Sequence, residues 1–250
     1  MNNCNPARTP MATNIQLPVL TVPEVDIAEY QRCIGSLMYL MVCTHPDIAF
    51  AVGVLSRHVT SPGHIHMQAI KRVFCYLRGT SKYRLEFQTD DTNDAPPIAY
   101  VDSDWAGDRI DRKSILGYTL LFDGGAISWG SKKQSSVSLS TVEAEFIAAS
   151  TAVKEVLWHR ALLDFLGMTQ SDLTQVLIDN QGALELIKSG QINDHTKHID
   201  TRFQHICDCE ATGDIKSEHV PMEYQIADVM TKSLGSEKFL SFQTKLGVKP

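Results

Sequence analysis

Apolar residues recur at three- and four-residue spacing through "IAEYQRCIGSLMYLMVC", residues 27–43, and predict an amphipathic helix. "THP" ends it, because Pro46 disfavours helical geometry at His45. A second helix is expected through "PDIAFAVGVLSRHV", with Pro46 at a favourable first-turn position. "SPG" at 61–63 breaks that run, and "HIHMQAIKRVFCYLRGT" predicts a third helix stopped by Gly79. Residues 1–26 contain Pro6, Pro10, Pro18 and Pro23 with little periodicity, and read as an extended arm. Residues 27–88 therefore form a small all-helical unit, and the polar, turn-rich stretch "TDDTNDAPP", 89–97, is the expected linker.

Beyond the linker the period changes. "IAYVDSD" reads as a strand, and "SILGYTLLFDGGAISWGSKK" as two more around an Asp123-Gly124-Gly125 turn, with a further strand from about Ser135. Ser140 or Thr141 can cap a long helix, "VEAEFIAASTAVKEVLWHRALLDFL", which Gly167 closes. "LTQVLIDN" is a strand tipped by an aspartate, and "QGALELIKSG" a short helix. "HTKHIDTRFQHICDCEATG" predicts a helix, "IKSEHVP" a last strand and "YQIADVMTKSL" a last helix. This order predicts an α/β domain, a mixed sheet flanked by helices, over residues 98–235, followed by a helical tail at 236–250.

Composition adjusts this picture only slightly. Hydrophobic residues make up 43% of the 250, enough for a real core. The net charge of -6 argues against a bulk cationic nucleic-acid coat and leaves room for a local basic groove. The six cysteines form no C-x-x-C pair, so they read as reduced thiols, and nothing at suitable spacing completes a zinc site with Cys207 and Cys209. No secretory signal is visible, and "CIGSLMYLMVC" is too short to span a bilayer. The expectation is an intracellular protein, cytoplasmic or nuclear, neither secreted nor membrane-bound.

Four acids fall at comparable places in this layout. Asp102 lies at the end of the first strand of the second half, Glu145 in the first turns of the long helix, Asp179 at the end of the fourth strand, and Asp228 in the helix after the last one. The first and fourth strands of a mixed sheet can be neighbours, which would bring Asp102 and Asp179 together. Each acid also has a local explanation. Glu145 and Asp228 suit helix N-termini, and Asp179 could cap the following helix. Taken together, four converging carboxylates would repel one another unless divalent cations neutralised them. Oxygen-only donors suit Mg²⁺ or Mn²⁺, and two such ions about 4 Å apart serve in-line phosphodiester cleavage.

The local words are recognisable. "YVDSDWAGDRIDRKSILGY", "ISWGSKKQSSVSLSTVEAEFIAA", "VLIDNQGALELI", "HTKHIDTRF" and "YQIADVMTKSL" resemble, in order, the ribonuclease H domain of copia-type retrotransposon polyproteins. "NPARTPM", "YQRCIGSLMYLMVCTHPDIAFAVGVLSRHV" and "HMQAIKRVFCYLRGT" are similar to the thumb and connection region that ends the adjacent reverse transcriptase. The resemblance implies a ribonuclease H-like fold preceded by a thumb/connection-like unit. It further implies a Mg²⁺-dependent endonuclease with two ions, Mn²⁺ able to substitute, cutting the RNA strand of RNA–DNA hybrids. Its metal-binding and catalytic acids map onto Asp102, Glu145, Asp179 and Asp228. A virus-like-particle context is implied as well. No Y-x-D-D block occurs, so polymerase activity is not expected of these residues, and the palm and fingers of that polymerase are the expected partner.

A hybrid nuclease must also grip two phosphate backbones and sense 2′-hydroxyls. Candidates are Ser131, Lys132, Lys133 and Gln134, with Arg112 and Lys113, set against a solvated hairpin tip. Asn180 and Gln181 are further candidates, set against helix capping. Lys197 and His198, in a family block, complete the set, set against a packed histidine. Trp105, Trp129 and Trp158 read as core or groove-lining residues. His45, Met67, Cys75, Asn193 and His195 depart from the family pattern and bear on hybrid affinity rather than on the acids. The competing class is a catalytically weak or inactive, element-derived module for nucleic-acid binding or protein interaction.

Overall fold

The computed structural model describes residues 4–88, 96–108, 110–168, 170, 172–190 and 200–250, with the side chains of 200–204 outside that description. It divides into two compact units: residues 1–86 with 232–250, and residues 87–231.

In the first unit, helix α1 (Ile27–Cys43) is N-capped by Asp26, whose Oδ1 accepts from Ala28 N at 2.8 Å. The second expected helix is one short α-helix, α2 (Ala49–Leu55), between 3-10 turns at Pro46–Ile48 and Ser56–His58. Helix α3 spans His64–Gly79. A two-residue strand, β1 (Arg84–Leu85), follows, too short to leave a periodic signal.

The C-terminal residues belong to this same unit. Helix α8 (Ser236–Lys245) leads into strand β7 (Val248–Lys249), which pairs antiparallel with β1. Phe239, Phe242 and Leu246 are buried with Tyr30, Leu37, Leu55, Ile70 and Tyr76. The buried Asp47 carboxylate accepts from the Tyr76 hydroxyl and from Gln243 Nε2, tying α8 to residues far away in sequence. Desolvation holds Asp47 above the usual carboxylate range, although these two donors oppose the shift. The N-terminal arm is irregular, yet Thr9 and Met11 are buried, and Arg72 of α3 donates to Thr9 Oγ1 at 2.9 Å.

The second unit is a five-stranded mixed sheet flanked by helices. Its strands are β2 (Ile98–Asp104), β3 (Ile115–Phe122), β4 (Gly125–Lys133), β5 (Thr174–Ile178) and β6 (Ile215–His219), in the spatial order β4-β3-β2-β5-β6. The first three form an antiparallel meander, while β5 and β6 run parallel to β2. The extra strand expected from Ser135 is absent. Gln134 and Ser138 are buried there and bond to each other, holding residues 134–140 as a loop.

Helix α4 (Thr141–Phe165) is N-capped by Ser140 and ends before Gly167, whose φ of +80° suits glycine. It packs on β2, β3 and β5 and also meets α5 (Gln181–Ser189) and α6 (Asp200–Thr212). Residues 143–150 are buried all round, and their alanines permit the close approach. Alternation along β2 sends Ala99 and Val101 into this core and places Tyr100 and Asp102 on the other face. The helix expected over 224–234 is reduced to α7 (Asp228–Thr231). No described helix is long and apolar enough to cross a membrane.

Phe242→Ala should lower the unfolding free energy by about 3–5 kcal/mol through cavity formation, as measured by urea denaturation of the full chain. A change under about 1 kcal/mol would mean that the α8 contacts are peripheral to the first unit.

Candidate metal centre

The parallel ladder between β2 and β5 ends at Val101 opposite Ile178. The next residue on the first strand is Asp102, and the next on the second is Asp179. Strand pairing alone therefore brings two carboxylates to adjacent tips. The third comes from α4, whose Ser140 cap fixes where the helix begins. Glu145, in its second turn, reaches the strand end, and its Oε1 accepts from Ser103 N at 3.2 Å. One carboxylate oxygen from each of Asp102, Glu145 and Asp179 lies within 4.8 Å of the others. Asp102 and Glu145 are buried and Asp179 is half-buried, so the set opens toward solvent on one side.

Asp228 stands outside this 4.8 Å set. It is buried in the first turn of α7, which packs against β2 and β3. Three residues on, the Thr231 hydroxyl donates to Asp102 Oδ2. Thr231 and the buried Gln225, whose amide donates to Val101 O at 2.8 Å, are contacts that sequence reading passes over. Their only signal is position, close to Asp228 within one motif.

The remaining carboxylates of "VDSDWAGDR" have other employment. Asp104 folds back over Gly107, where any Cβ would collide with its carboxylate. Asp108 accepts from Ile110 N and pairs with Lys133 Nζ at 2.6 Å.

The expected nucleic-acid contacts sort by burial. Residues 131–133 are the far end of β4, with Gln134 just after it, rather than a hairpin tip, since the β3–β4 turn lies at Asp123–Gly124. Ser131 pairs with Gly117, which in turn pairs with Asp102, so these three residues form one row across the sheet. Lys132 is exposed. Lys133 is held between Asp108 and Asp111, at 2.6 and 2.8 Å. Partial burial opposes its charge, yet the two carboxylates outweigh that and keep its ammonium above the ordinary value.

Gln134 is not available at the surface. It is 3% exposed, its Nε2 donates to Ala144 O at 2.9 Å and Ser103 Oγ at 3.3 Å, and its Oε1 accepts from Ser138 at 2.7 Å. Strand alternation turns it inward just where β4 ends, so it braces β2 against the start of α4. Asn180 caps α5, accepting from Ala183 N at 3.0 Å, while Gln181 is exposed. Arg112 and Lys113 lie in the β2–β3 loop, where Lys113 reaches Asp111 at 4.0 Å. Asn193, His195, Lys197 and His198 lie outside the described residues. Trp105 donates its indole N–H to Ser138 O at 3.0 Å, but Trp158, at 59% exposed, is neither core nor part of this site.

No family model matches the chain. It is 41% identical over 248 residues to the retrovirus-related Pol polyprotein from transposon TNT 1-94 of Nicotiana tabacum, covering 96% of this chain and 18% of that protein. It is 35% identical over 249 residues to the polyprotein from transposon RE1 of Arabidopsis thaliana, covering 99% and 17%. A 129-residue match at 48% identity, covering 52% of this chain, takes in 89% of the secreted RxLR effector protein 161 of Plasmopara viticola. Among solved structures it is similar to LC11-RNase H1 isolated from compost, at 16% identity and a TM-score of 0.42, covering 54% of this chain and 92% of that one. The chain spans less than a fifth of the length of the two transposon polyproteins, and across nearly all of its own length its relatives at 35–41% identity are retrovirus-related Pol polyproteins of transposons.

Proposed function

We propose that residues 98–235 are the ribonuclease H part of a copia-type transposon polyprotein, a divalent-metal endonuclease that cuts the RNA strand of RNA–DNA hybrids. The observation that carries this reading is the convergence of Asp102, Glu145 and Asp179 within 4.8 Å at the tips of two parallel strands and one helix. The likeness of nearly the whole chain to the Pol polyproteins supports it.

The donor set fits the metal. Three carboxylates, without histidine or cysteine among them, are what Mg²⁺ and Mn²⁺ accept. Asp102, Glu145 and Asp179 would hold the ions. Asp228, outside the 4.8 Å set, would be the fourth acid of the site by its motif. When bound, the ions supply an activated water and stabilise the leaving oxygen in an in-line displacement.

The chain's own residues orient the substrate. Ser131, in the row of Asp102 across the sheet, and the exposed Lys132 next to it would meet a phosphate backbone, and Gln181 would approach a sugar edge from the start of α5. Lys197 and His198 remain candidate contacts on the family block alone. Residues 27–88 are assigned as the thumb/connection-like part, with the palm and fingers of the polymerase as partner.

Labelled RNA–DNA hybrid, double-stranded RNA and double-stranded DNA, each incubated with Mg²⁺ or EDTA, test the reaction. Cleavage of the hybrid's RNA strand alone, lost in EDTA, is the expected result; an uncut hybrid at every Mg²⁺ and Mn²⁺ concentration overturns it. Asp179→Asn should abolish cleavage while leaving the melting temperature in EDTA unchanged or higher, since it removes a like charge from a metal-free cluster. A clear fall in that temperature would mark Asp179 as structural. The salt dependence of hybrid binding separates the two lysines. Lys132→Ala should reduce the slope by about 0.7–0.9, whereas Lys133→Ala, already ion-paired within the chain, should leave it nearly unaltered. Equal slopes for the two variants would remove Lys132 from the interface.

A further inference from the structure

The β2–β5 ladder stops one residue short of both aspartates, at Val101 opposite Ile178. Two strand tips that carry like charges and have no further shared ladder bonds should part there. The segment 225–231 counters that separation from the face of the sheet opposite α4. Gln225 is completely buried, and its Nε2 donates to Val101 O at 2.8 Å and to Leu177 O at 3.4 Å. One primary amide thus bridges the main chains of both strands, one residue before Asp102 and two before Asp179. Its Oε1 accepts from Ala227 N at 3.3 Å, which anchors the amide to the turn leading into α7.

At the other end of the segment, the Thr231 hydroxyl donates to Asp102 Oδ2 and fixes which oxygen of that carboxylate is taken up within the protein. Thr231 can come this close only because Gly117 lies beside Asp102 on the neighbouring strand. A Cβ at Gly117 would sit 2.6 Å from Thr231 Cγ2 and 2.7 Å from Met230 Cβ.

We propose that Gln225 and Thr231 are positioning residues of the acid site. Gln225 sets the gap between the tips bearing Asp102 and Asp179, and Thr231 orients the Asp102 carboxylate so that its other oxygen faces Glu145 and Asp179. This rests on the metal-site reading above and assigns to the 225–231 segment a part in setting divalent-ion affinity, separate from any direct ligation by Asp228. Outer partners that fix a ligand's orientation commonly contribute 10–100-fold to metal affinity.

The test is Mn²⁺ titration of the full 250-residue chain, followed by electron paramagnetic resonance of the free ion, with melting in EDTA as a control on folding. Thr231→Val, which keeps the shape and removes the hydroxyl, should weaken Mn²⁺ binding by about 10–100-fold. Thr231→Ser should restore affinity close to that of the unaltered chain. Wild-type affinity in Thr231→Val, or an equal loss in the valine and serine variants, overturns the assignment of Thr231 while leaving the metal site standing. No Mn²⁺ binding by the unaltered chain overturns the metal reading and this assignment with it.

Gln225→Met is read without metal, by amide hydrogen exchange in EDTA. Exchange should quicken selectively at residues 99–103 and 176–179 relative to the β3–β4 hairpin. Unchanged protection at those tips, or a uniform rise across the sheet, removes Gln225 from the role.

Discussion

The parallel pairing of β2 with β5 is the constraint on which the second unit depends. Because the shared ladder ends at Val101 and Ile178, the residues that follow, Asp102 and Asp179, emerge side by side. Parallel neighbours cannot be joined by a tight turn, so the chain must leave the sheet and return. The meander of β3 and β4 followed by the 25-residue α4 makes that return, and in crossing the sheet it delivers Glu145 to the same place. The topology that closes the core is thus the topology that gathers the charge.

Gathering three acids has a local cost, and buried amides line the place where it falls. Gln134 joins the end of β4 to Ser103 and to the first turn of α4, and Gln225 joins β2 to β5. Both are nearly inaccessible to water and both use their donors and acceptors fully or nearly so, as a buried polar group must if it is not to destabilise the fold. Each ends on the main chain of an element that carries an acid. These two amides contribute neutral hydrogen bonds to the frame of the site, beside the bonds that the carboxylates of Glu145 and Asp102 themselves accept.

The first unit is closed by a different polar device. Asp47, Tyr76 and Gln243 meet in a buried cluster that joins the turn before α2, helix α3 and helix α8. Residues 232–250 accordingly fold with residues 1–86, and the pairing of β1 with β7 completes the connection. The C-terminal stretch reads in the sequence as a helical tail, but its apolar residues are core.

The sequence by itself determined the elements with strong periodicity or clear stop signals. Helices α1 and α3, the capped α4 and the strands of the sheet follow from apolar spacing, Pro46, Ser140, Gly79 and Gly167, all of which act within a few residues. The acids were legible because each sits at the end of such an element. Tertiary structure decided what depends on pairing across long separations. It put Gln134 inside, engaged Lys133 with Asp108 and Asp111, used Asn180 as a cap, and cut the helix after the last strand to four residues against Gly117. A glutamine reads the same in a sequence whether it faces solvent or bridges two strands. The partner of Gln134 at Ala144 lies 10 residues away and that of Gln225 at Val101 lies 124 away, and only the folded chain brings those carbonyls within reach.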